Sequence, residues 1–188
     1  MREKLRLRLE SCAIRFGRDT WNVATDRAVA AAFKVHPKNN SLDDTLHKVA
    51  VLNSLYHTGI LDVFKMAKHV LTQDLDSYLA DGNLKAVDLL RQGHGIRTKK
   101  GRERDFYSFA SKYCHWHRPK DYPIFDQYAA RALRWVYRQQ PFCDTFSSDD
   151  LYDFPHFKSV VDALRSSLNP GWGYKRLDQA LWILGQEI

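Results

Sequence analysis

The segment "SFASKYCHWHRPKDYPIFDQYAARAL", Ser108–Leu133, contains two stretches with apolar residues at three- and four-residue intervals, separated by a short loop. That spacing is typical of amphipathic helices. Asp126 follows "PIF" and stands directly before the second stretch, where an aspartate is a common N-cap. The segment therefore predicts a helix, a loop and a second helix that begins at an acidic residue.

The same periodicity runs along nearly the whole chain, and no segment shows the alternation of a half-buried strand. The sequence therefore predicts an all-α fold, and its 188 residues suit one domain, 1–188. Ser41 is the predicted N-cap of a helix that ends at a break near Gly59. In the helix before it, the residues predicted to face the core are Trp21, Ala24, Ala28, Ala31 and Ala32. Further helices are predicted over Ile60–Leu71, Asn83–Gln92, Asp105–His117, Gln127–Gln139, His156–Leu168 and Tyr174–Gln186.

Charge and composition restrict the classes of protein to which this chain can belong. The net charge of +7 and the pI near 9.3 favour an anionic partner such as nucleic acid. No apolar run reaches the length of a membrane span, and the first residues lack the apolar segment of a signal peptide. We therefore expect a cytoplasmic protein that does not bind membranes and acts as a monomer.

Metal and cofactor sites are not expected. The three cysteines, Cys12, Cys114 and Cys143, are too widely separated for a four-cysteine site and are interpreted as reduced thiols. His115 and His117 stand two residues apart, so they would not share a face of a helix. Packing or phosphate contact is the favoured role for this cluster.

The segment "GHGIRTKKGRERD", Gly93–Asp105, is the strongest candidate for contact with a phosphate backbone. Its three glycines allow the main chain to approach a phosphate closely. The alternative is a solvated, mobile surface loop. The basic residues predicted to grip DNA are Arg97, Lys99, Lys100, Arg102 and Arg104.

Three segments resemble the helix–hairpin–helix DNA glycosylase superfamily, in particular its compact 8-oxoguanine glycosylase branch. "PIFDQYAARAL", Pro123–Leu133, is similar to the segment that leads to the family's catalytic aspartate. "VAVLNSLYHTGILDVFKMAKHVL", Val49–Leu71, resembles the helix–loop–helix whose polar tip approaches the opened base pair. "YKRLDQALWILG", Tyr174–Gly185, resembles the C-terminal helix that closes the base pocket. Together the matches cover roughly half of the chain.

The resemblance implies that Asp126 stabilises the positive charge that develops on the sugar as the N-glycosidic bond breaks. It also implies that the target nucleotide is flipped out of the duplex. Tyr56, Trp116 and Trp182 are candidate stacking surfaces, although core packing is the more common role of each alone. The residues expected to bind the base or its edges also include Asn53, His57 and Asp178.

Ser108 and Lys112, which both precede Asp126 in the chain, are candidates for the position of the superfamily's Schiff-base lysine. The spacing typical of the superfamily falls near Ser108, which has a hydroxyl, as in the adenine glycosylases that form no Schiff base. A shortened loop would instead make Lys112 the nucleophile, whereas an ordinary role for Lys112 is that of a solvated lysine on a helix. The placement at Ser108 needs no deletion and favours a monofunctional enzyme in which Asp126 activates water and Lys112 contacts phosphate or the base.

The chain also departs from the family. Its hairpin motif is degenerate or missing, with "GHGIRTK", Gly93–Lys99, as the nearest approximation, and the four-cysteine cluster loop is absent. Three functions therefore compete. The favoured one is a DNA glycosylase that leaves an abasic site, in base excision repair or in defence against modified phage DNA. The others are a nucleic-acid-binding module of the same fold without catalysis, and a helical domain whose basic surface meets an acidic protein.

Overall fold

The computed structural model describes residues 3–168 and 171–188, and these residues form ten α-helices and no β-strand. The predicted all-α fold is therefore confirmed. A single turn of 3₁₀ helix covers Asp150–Tyr152. The helices are α1 (Glu3–Arg18), α2 (Thr20–Val35), α3 (Leu42–Tyr56), α4 (Val63–Thr72), α5 (Leu75–Ala80), α6 (Lys85–Arg91), α7 (Tyr107–His117), α8 (Gln127–Gln139), α9 (Phe154–Ser167) and α10 (Tyr174–Glu187).

The helices fall into two compact units, and the division lies within α2, between Val23 and Ala24. The first unit contains residues 3–23, 122–168 and 171–188, and the second contains residues 24–121. The prediction of one domain over 1–188 stays a prediction.

In the second unit, α3 packs against α4 and α7, and α6 packs against α5 and α7. Ser41 caps α3, because its hydroxyl accepts a hydrogen bond from the main-chain N–H of Asp44. α3 ends at His57, which has a positive φ of 49° and turns the chain away from the helix. α7 is buried along most of its length, so the side chains that line it are held firmly.

In the first unit, α10 packs against both α1 and α8. Gly185 makes the close approach to α8 possible: a β-carbon at this position would lie 2.2 Å from the carbonyl oxygen of Tyr128. Any larger residue would therefore push α10 away from the first turn of α8. This contact fixes the end of α8 that carries Asp126.

The prediction for the buried face of α2 is confirmed at Ala32 and wrong at the other four residues. Trp21 is 71% exposed, and the buried residues of α2 are Val29, Ala32 and Phe33. An apolar groove between α2 and α3 takes in Ala28, Ala31 and Ala32. Four of the five residues of the predicted face are alanines, whose small side chains can stay exposed at little cost. Periodicity alone therefore predicted the wrong buried face for α2.

Within the residues described, no helix combines the length and the hydrophobicity needed to cross a bilayer.

Candidate nucleic-acid interface and catalytic residues

Lys112 lies at the centre of a cluster of predicted site residues in the second unit. Its side chain is buried, with 4% exposed, and its Nζ donates a hydrogen bond of 2.7 Å to the Oγ of Ser108, one turn earlier in α7. The Nζ also lies 5.5 Å from the ring centroid of Tyr56 on α3, within reach of a cation–π interaction. Trp116 meets Tyr56 edge to face at 6.2 Å. The structure therefore brings together four residues that the sequence placed in the site, two as stacking surfaces and two as candidates for the lysine position.

Tyr56 is further oriented by Asp26, whose Oδ1 accepts a hydrogen bond of 2.5 Å from the phenol. Asp26 lies on α2, so the Tyr56 ring is held between α2 and α7. The role of this carboxylate is not visible in the sequence, because no local pattern links residues 30 positions apart.

The turn after α3 carries Asn53 and His57, two residues predicted to read the base. Asn53 uses much of its amide to shape this turn: its Oδ1 accepts from the Thr58 hydroxyl and from the Ile60 N–H, at 2.8 and 2.9 Å, and its Nδ2 donates to the Ile60 carbonyl at 2.9 Å. His57 is exposed at the tip. Asn53 is therefore a positioning residue in this structure, whereas His57 has access to solvent and to a ligand.

The basic segment Gly93–Asp105 forms a short, ordered hairpin and not an open loop. Arg97 and Glu103 form an isolated antiparallel bridge. Main-chain bonds run from the Thr98 N–H to the Arg102 carbonyl at 2.8 Å and from the Gly101 N–H to the Thr98 carbonyl at 2.9 Å. Gly101 has a φ of 77°, which glycine adopts without strain. The two lysines, Lys99 and Lys100, stand at the turn of this hairpin.

The hairpin is anchored by His94, whose side chain is buried. The His94 Nδ1 accepts the Ile96 N–H at 3.0 Å, so its Nε2 carries the proton and donates to the carbonyls of Arg104 at 2.9 Å and Arg91 at 3.2 Å. The Ile96 side chain is also buried. The base of the hairpin is thereby fixed, while the exposed basic residues are Arg97, Lys99, Lys100 and Arg102.

One acidic residue of the hairpin, Glu103, is turned toward the main chain. Its carboxylate accepts a 2.9 Å hydrogen bond from the Gly95 N–H, and this bond is the main reason that the pKa of Glu103 lies below its usual value. The hairpin and the turn after α3 are also neighbours, since a β-carbon on Gly59 would lie 3.6 Å from the Nη2 of Arg104. The predicted phosphate grip and the predicted base-reading tip thus share one surface of the second unit.

Asp126 is the N-cap of α8, as its sequence position predicts. Its Oδ1 accepts a 2.8 Å hydrogen bond from the Ala129 N–H, and the residue is only 8% exposed. Most N-cap aspartates lie at the surface, as does Asp153 at the start of α9. Capping therefore explains the residue type at position 126 but not its burial.

The other predicted site residues of the first unit lie on α10. Asp178 is buried and accepts a 3.3 Å hydrogen bond from the Nζ of Lys175. Trp182 is half-buried and packs edge to face between Phe16 of α1, at 5.8 Å, and Tyr128 of α8, at 6.2 Å. Trp182 therefore helps to hold the three helices of this unit together.

A second buried lysine, Lys48 of α3, was missed by the sequence interpretation. Its Nζ donates to the Lys38 carbonyl at 2.7 Å and to the Asn39 Oδ1 at 2.8 Å, and lies 3.3 Å from the Nε2 of His117. Burial lowers the pKa of Lys48 to about 8. Burial, and then the charge of Lys48, lower the pKa of His117 to about 3.

This network extends through Asn39 to Asp76 and Tyr113. The Asn39 Nδ2 and N–H donate to the two carboxylate oxygens of Asp76 at 2.6 and 2.9 Å, and the Tyr113 hydroxyl donates to the Asn39 Oδ1 at 2.5 Å. His117 is thus part of a polar network that ties the loop after α2 to α3 and α7. Its neighbour Cys114 is buried, which raises the pKa of its thiol.

Comparison with known proteins finds a family whose match includes the whole second unit and part of the first. Residues 9–121 match the family described as HI_0787_N, N-terminal domain. A Haemophilus influenzae protein described as an uncharacterized protein is 38% identical over 154 residues, covering 78% of this chain and 71% of that protein. No solved structure matches the chain. The family match includes the Lys112 cluster and the hairpin and ends before Asp126.

Proposed function

This chain belongs to the HI_0787_N family, and we propose that it is a DNA glycosylase. In this proposal the protein binds DNA, flips a modified or damaged base out of the helix and hydrolyses the N-glycosidic bond, leaving an abasic site. The reaction needs no cofactor. It would serve base excision repair or defence against phage DNA that carries modified bases.

The observation that carries the proposal is the buried carboxylate of Asp126 at the N-terminus of α8. A carboxylate removed from water acts more strongly on nearby charge than an exposed one, because the local dielectric is low. In glycosidic cleavage the sugar acquires oxocarbenium character, and a fixed carboxylate beside it lowers the barrier. Asp126 would supply that charge and orient the attacking water.

DNA binding is supported by the ordered basic hairpin of the second unit. Exposed cations on a fixed scaffold gain free energy by releasing counterions from the phosphate backbone, and they lose little conformational freedom on binding. The neighbouring turn after α3 offers His57 at its tip. In this proposal the hairpin holds the backbone and the turn approaches the opened base pair.

The Lys112 cluster suits a role in holding the extruded nucleotide. Tyr56 and Trp116 present aromatic surfaces next to a cation, a combination that favours stacked bases and phosphate. Trp182 and Asp178 of the first unit are the further candidates that follow from the resemblance. In this assignment Lys112 contacts the substrate and Ser108 positions its Nζ.

A non-catalytic nucleic-acid-binding module is the alternative. It is favoured by the cap hydrogen bond of Asp126, since a residue with a structural role needs no catalytic one. In that case the hairpin alone accounts for the function.

The decisive experiment compares Asp126→Asn with Asp153→Asn. Both aspartates are N-caps of the first unit, and each accepts a 2.8 Å hydrogen bond from the N–H three residues later. Asparagine caps helices as well as aspartate does, so each variant keeps its cap and loses only its charge. The two proteins are incubated with duplexes carrying oxidised, alkylated or mismatched bases and with modified phage DNA, and abasic sites are counted.

We expect Asp126→Asn to lower excision roughly 100- to 1,000-fold while DNA binding stays nearly unchanged, because the carboxylate acts on charge that develops in the transition state. Asp153→Asn should excise like the parent. If the parent binds DNA but releases no base from any substrate of the panel, the binding module replaces the glycosylase. Equal excision by the two variants would remove Asp126 from the mechanism.

A further inference from the structure

The exposed face of α8 is strongly basic. Arg131, Arg134 and Arg138 are spaced by three and four residues in "RALRWVYR", which places them on one side of the helix. The opposite side is buried and contains Ala129, Ala132, Leu133 and Val136. The apolar side fixes the helix against the first unit, so the three guanidinium groups are presented together to solvent.

These arginines line a concavity of about 400 Å³. Its other lining residues are Trp135, Ser148 and Ile188. A volume of this size accommodates a phosphate or pyrophosphate group together with part of the molecule that carries it. The site is therefore concave as well as charged, unlike a row of cations on a convex helix.

Hydrogen bonds orient two of the three arginines. The Nη1 of Arg131 donates to the main-chain oxygens of Gly185 and Ile188 at 3.1 and 3.2 Å, and the Nη1 of Arg134 donates to the Oγ of Ser148 at 2.5 Å. Across residues 3–168 and 171–188, no side-chain carboxylate forms a salt bridge with any of the three. Arg131 and Arg134 are thus held in place without a side-chain carboxylate as partner.

Arg8 of α1 adds a fourth cation at the edge of the site. Its guanidinium lies 4.6 Å from the ring centroid of Trp135. The nearest acid that it meets, Glu187, is 3.8 Å away and is shared with Arg15, which lies closer at 2.5 Å. The charge of Glu187 is thus taken up mainly by Arg15, and Arg8 adds to the positive potential around Trp135.

We propose that this arginine face, Arg131, Arg134 and Arg138 with Ser148, is a phosphate-binding site separate from the hairpin. Guanidinium groups bind phosphate through paired N–H donors, and three of them on one helix face can contact several oxygens at once. The phosphate comes either from a nucleic-acid backbone or from a free phosphate compound. Only the first source rests on the proposed function.

The test uses a triple variant, Arg131→Gln with Arg134→Gln and Arg138→Gln. Its matched control removes the same charge from three exposed residues elsewhere, Lys4→Gln with Arg18→Gln and Lys34→Gln. A third protein carries lysine at the three arginine positions and keeps the charge without the paired donors. Thermal melts show that each variant is folded. Binding of pyrophosphate is measured by calorimetry, and binding of single- and double-stranded DNA by fluorescence anisotropy at several salt concentrations.

If the phosphate comes from DNA, the glutamine triple variant should have a shallower plot of log K against log salt. The magnitude of its negative slope should fall by roughly 2 to 3, since each phosphate contact contributes about 0.9. If it comes from a free compound, pyrophosphate binding should disappear and the DNA slope should match the control. The lysine variant should fall between the parent and the glutamine variant. Both readouts equal to the control, or no binding of either ligand by the parent, would overturn the site. Loss of pyrophosphate binding in a protein that excises no base would keep the site and reject the glycosylase.

Discussion

Two lysines of the second unit are buried, and their surroundings differ. Lys48 has no exposed surface and meets a main-chain carbonyl, an amide oxygen and an imidazole nitrogen. Lys112 is 4% exposed and meets a serine hydroxyl and the ring of Tyr56, close to Trp116. Burial alone therefore does not identify a functional lysine. The partners of the amine distinguish the two cases, since acceptors from the main chain and from core side chains indicate a structural role.

Lys48 stabilises the fold by satisfying buried and partly buried acceptors. The loop after α2 offers the Lys38 carbonyl and the Asn39 side chain, and α7 offers His117. Without the ammonium, the Lys38 carbonyl and the His117 Nε2 would lose this donor, whereas the Asn39 Oδ1 would keep the Tyr113 hydroxyl. Leaving an acceptor without a partner away from water costs more than the original bond contributed. The network is therefore costly to interrupt at any single member.

The largest expected effect is a loss of stability in Lys48→Met. Methionine fills a similar volume but removes the donor to the Lys38 carbonyl and to the His117 Nε2, so we expect the free energy of unfolding to fall by about 2–5 kcal/mol. The same substitution at Lys112 should reduce base excision and cost less stability. Urea unfolding of both variants, with excision assays on the same preparations, checks the pair. Equal losses of stability would mean that Lys112 is as structural as Lys48.

Local chemistry made most of the fold predictable. Helix α8 has the predicted bounds, and Ser41 and Asp126 are the predicted caps. The prediction missed α5, a helix of only six residues, because so short a segment gives little periodicity. It also misjudged which face of α2 is covered, since alanines supply no size signal.

The site was only partly predictable. Lys112 and Ser108 are one helical turn apart, so their hydrogen bond follows from spacing. The pairing of Lys48 with His117 joins residues 69 positions apart, and only the folded chain reveals it. The arginine face could have been predicted from the sequence, because its three- and four-residue spacing is visible there. It was missed because this segment was interpreted only through the position of Asp126.

A smaller effect is expected on acidification, and it tests the partner of Lys48. The pKa of His117 is about 3 in the folded protein, below the ordinary value of about 6.5. The unfolded chain therefore binds the proton first as the pH falls, and the stability contributed by neutral His117 is full above about pH 6.5 and decreases toward pH 3. Between about pH 6.5 and pH 5 this loss amounts to about 1.5 kcal/mol.

The measurement is urea unfolding of the parent and of His117→Gln at those two pH values. The variant should lose less stability than the parent over this interval, because glutamine does not titrate. His69→Gln is the control, since burial also lowers the pKa of His69 and its removal should leave the His117 contribution in place. A parent and His117→Gln with the same pH dependence would contradict a neutral His117 with a lowered pKa.

The last prediction is that an effect is absent: Lys112 forms no covalent adduct with DNA. A lyase step requires a lysine amine to displace the base and form a Schiff base with the sugar, which borohydride reduces to a stable protein–DNA adduct. Here the Lys112 Nζ is bound to Ser108, and the sequence spacing that favours Ser108 at this position predicts water as the nucleophile. We therefore expect excision by the parent to yield intact strands with abasic sites, and borohydride during turnover to trap nothing.

Lys112→Met should also form no adduct, and it should give less abasic product, because the amine of Lys112 is expected to contact the substrate without bonding to it covalently. An adduct formed by the parent and lost in Lys112→Met would make Lys112 the nucleophile and the enzyme bifunctional. In that case the two buried lysines would differ in reactivity as well as in their partners.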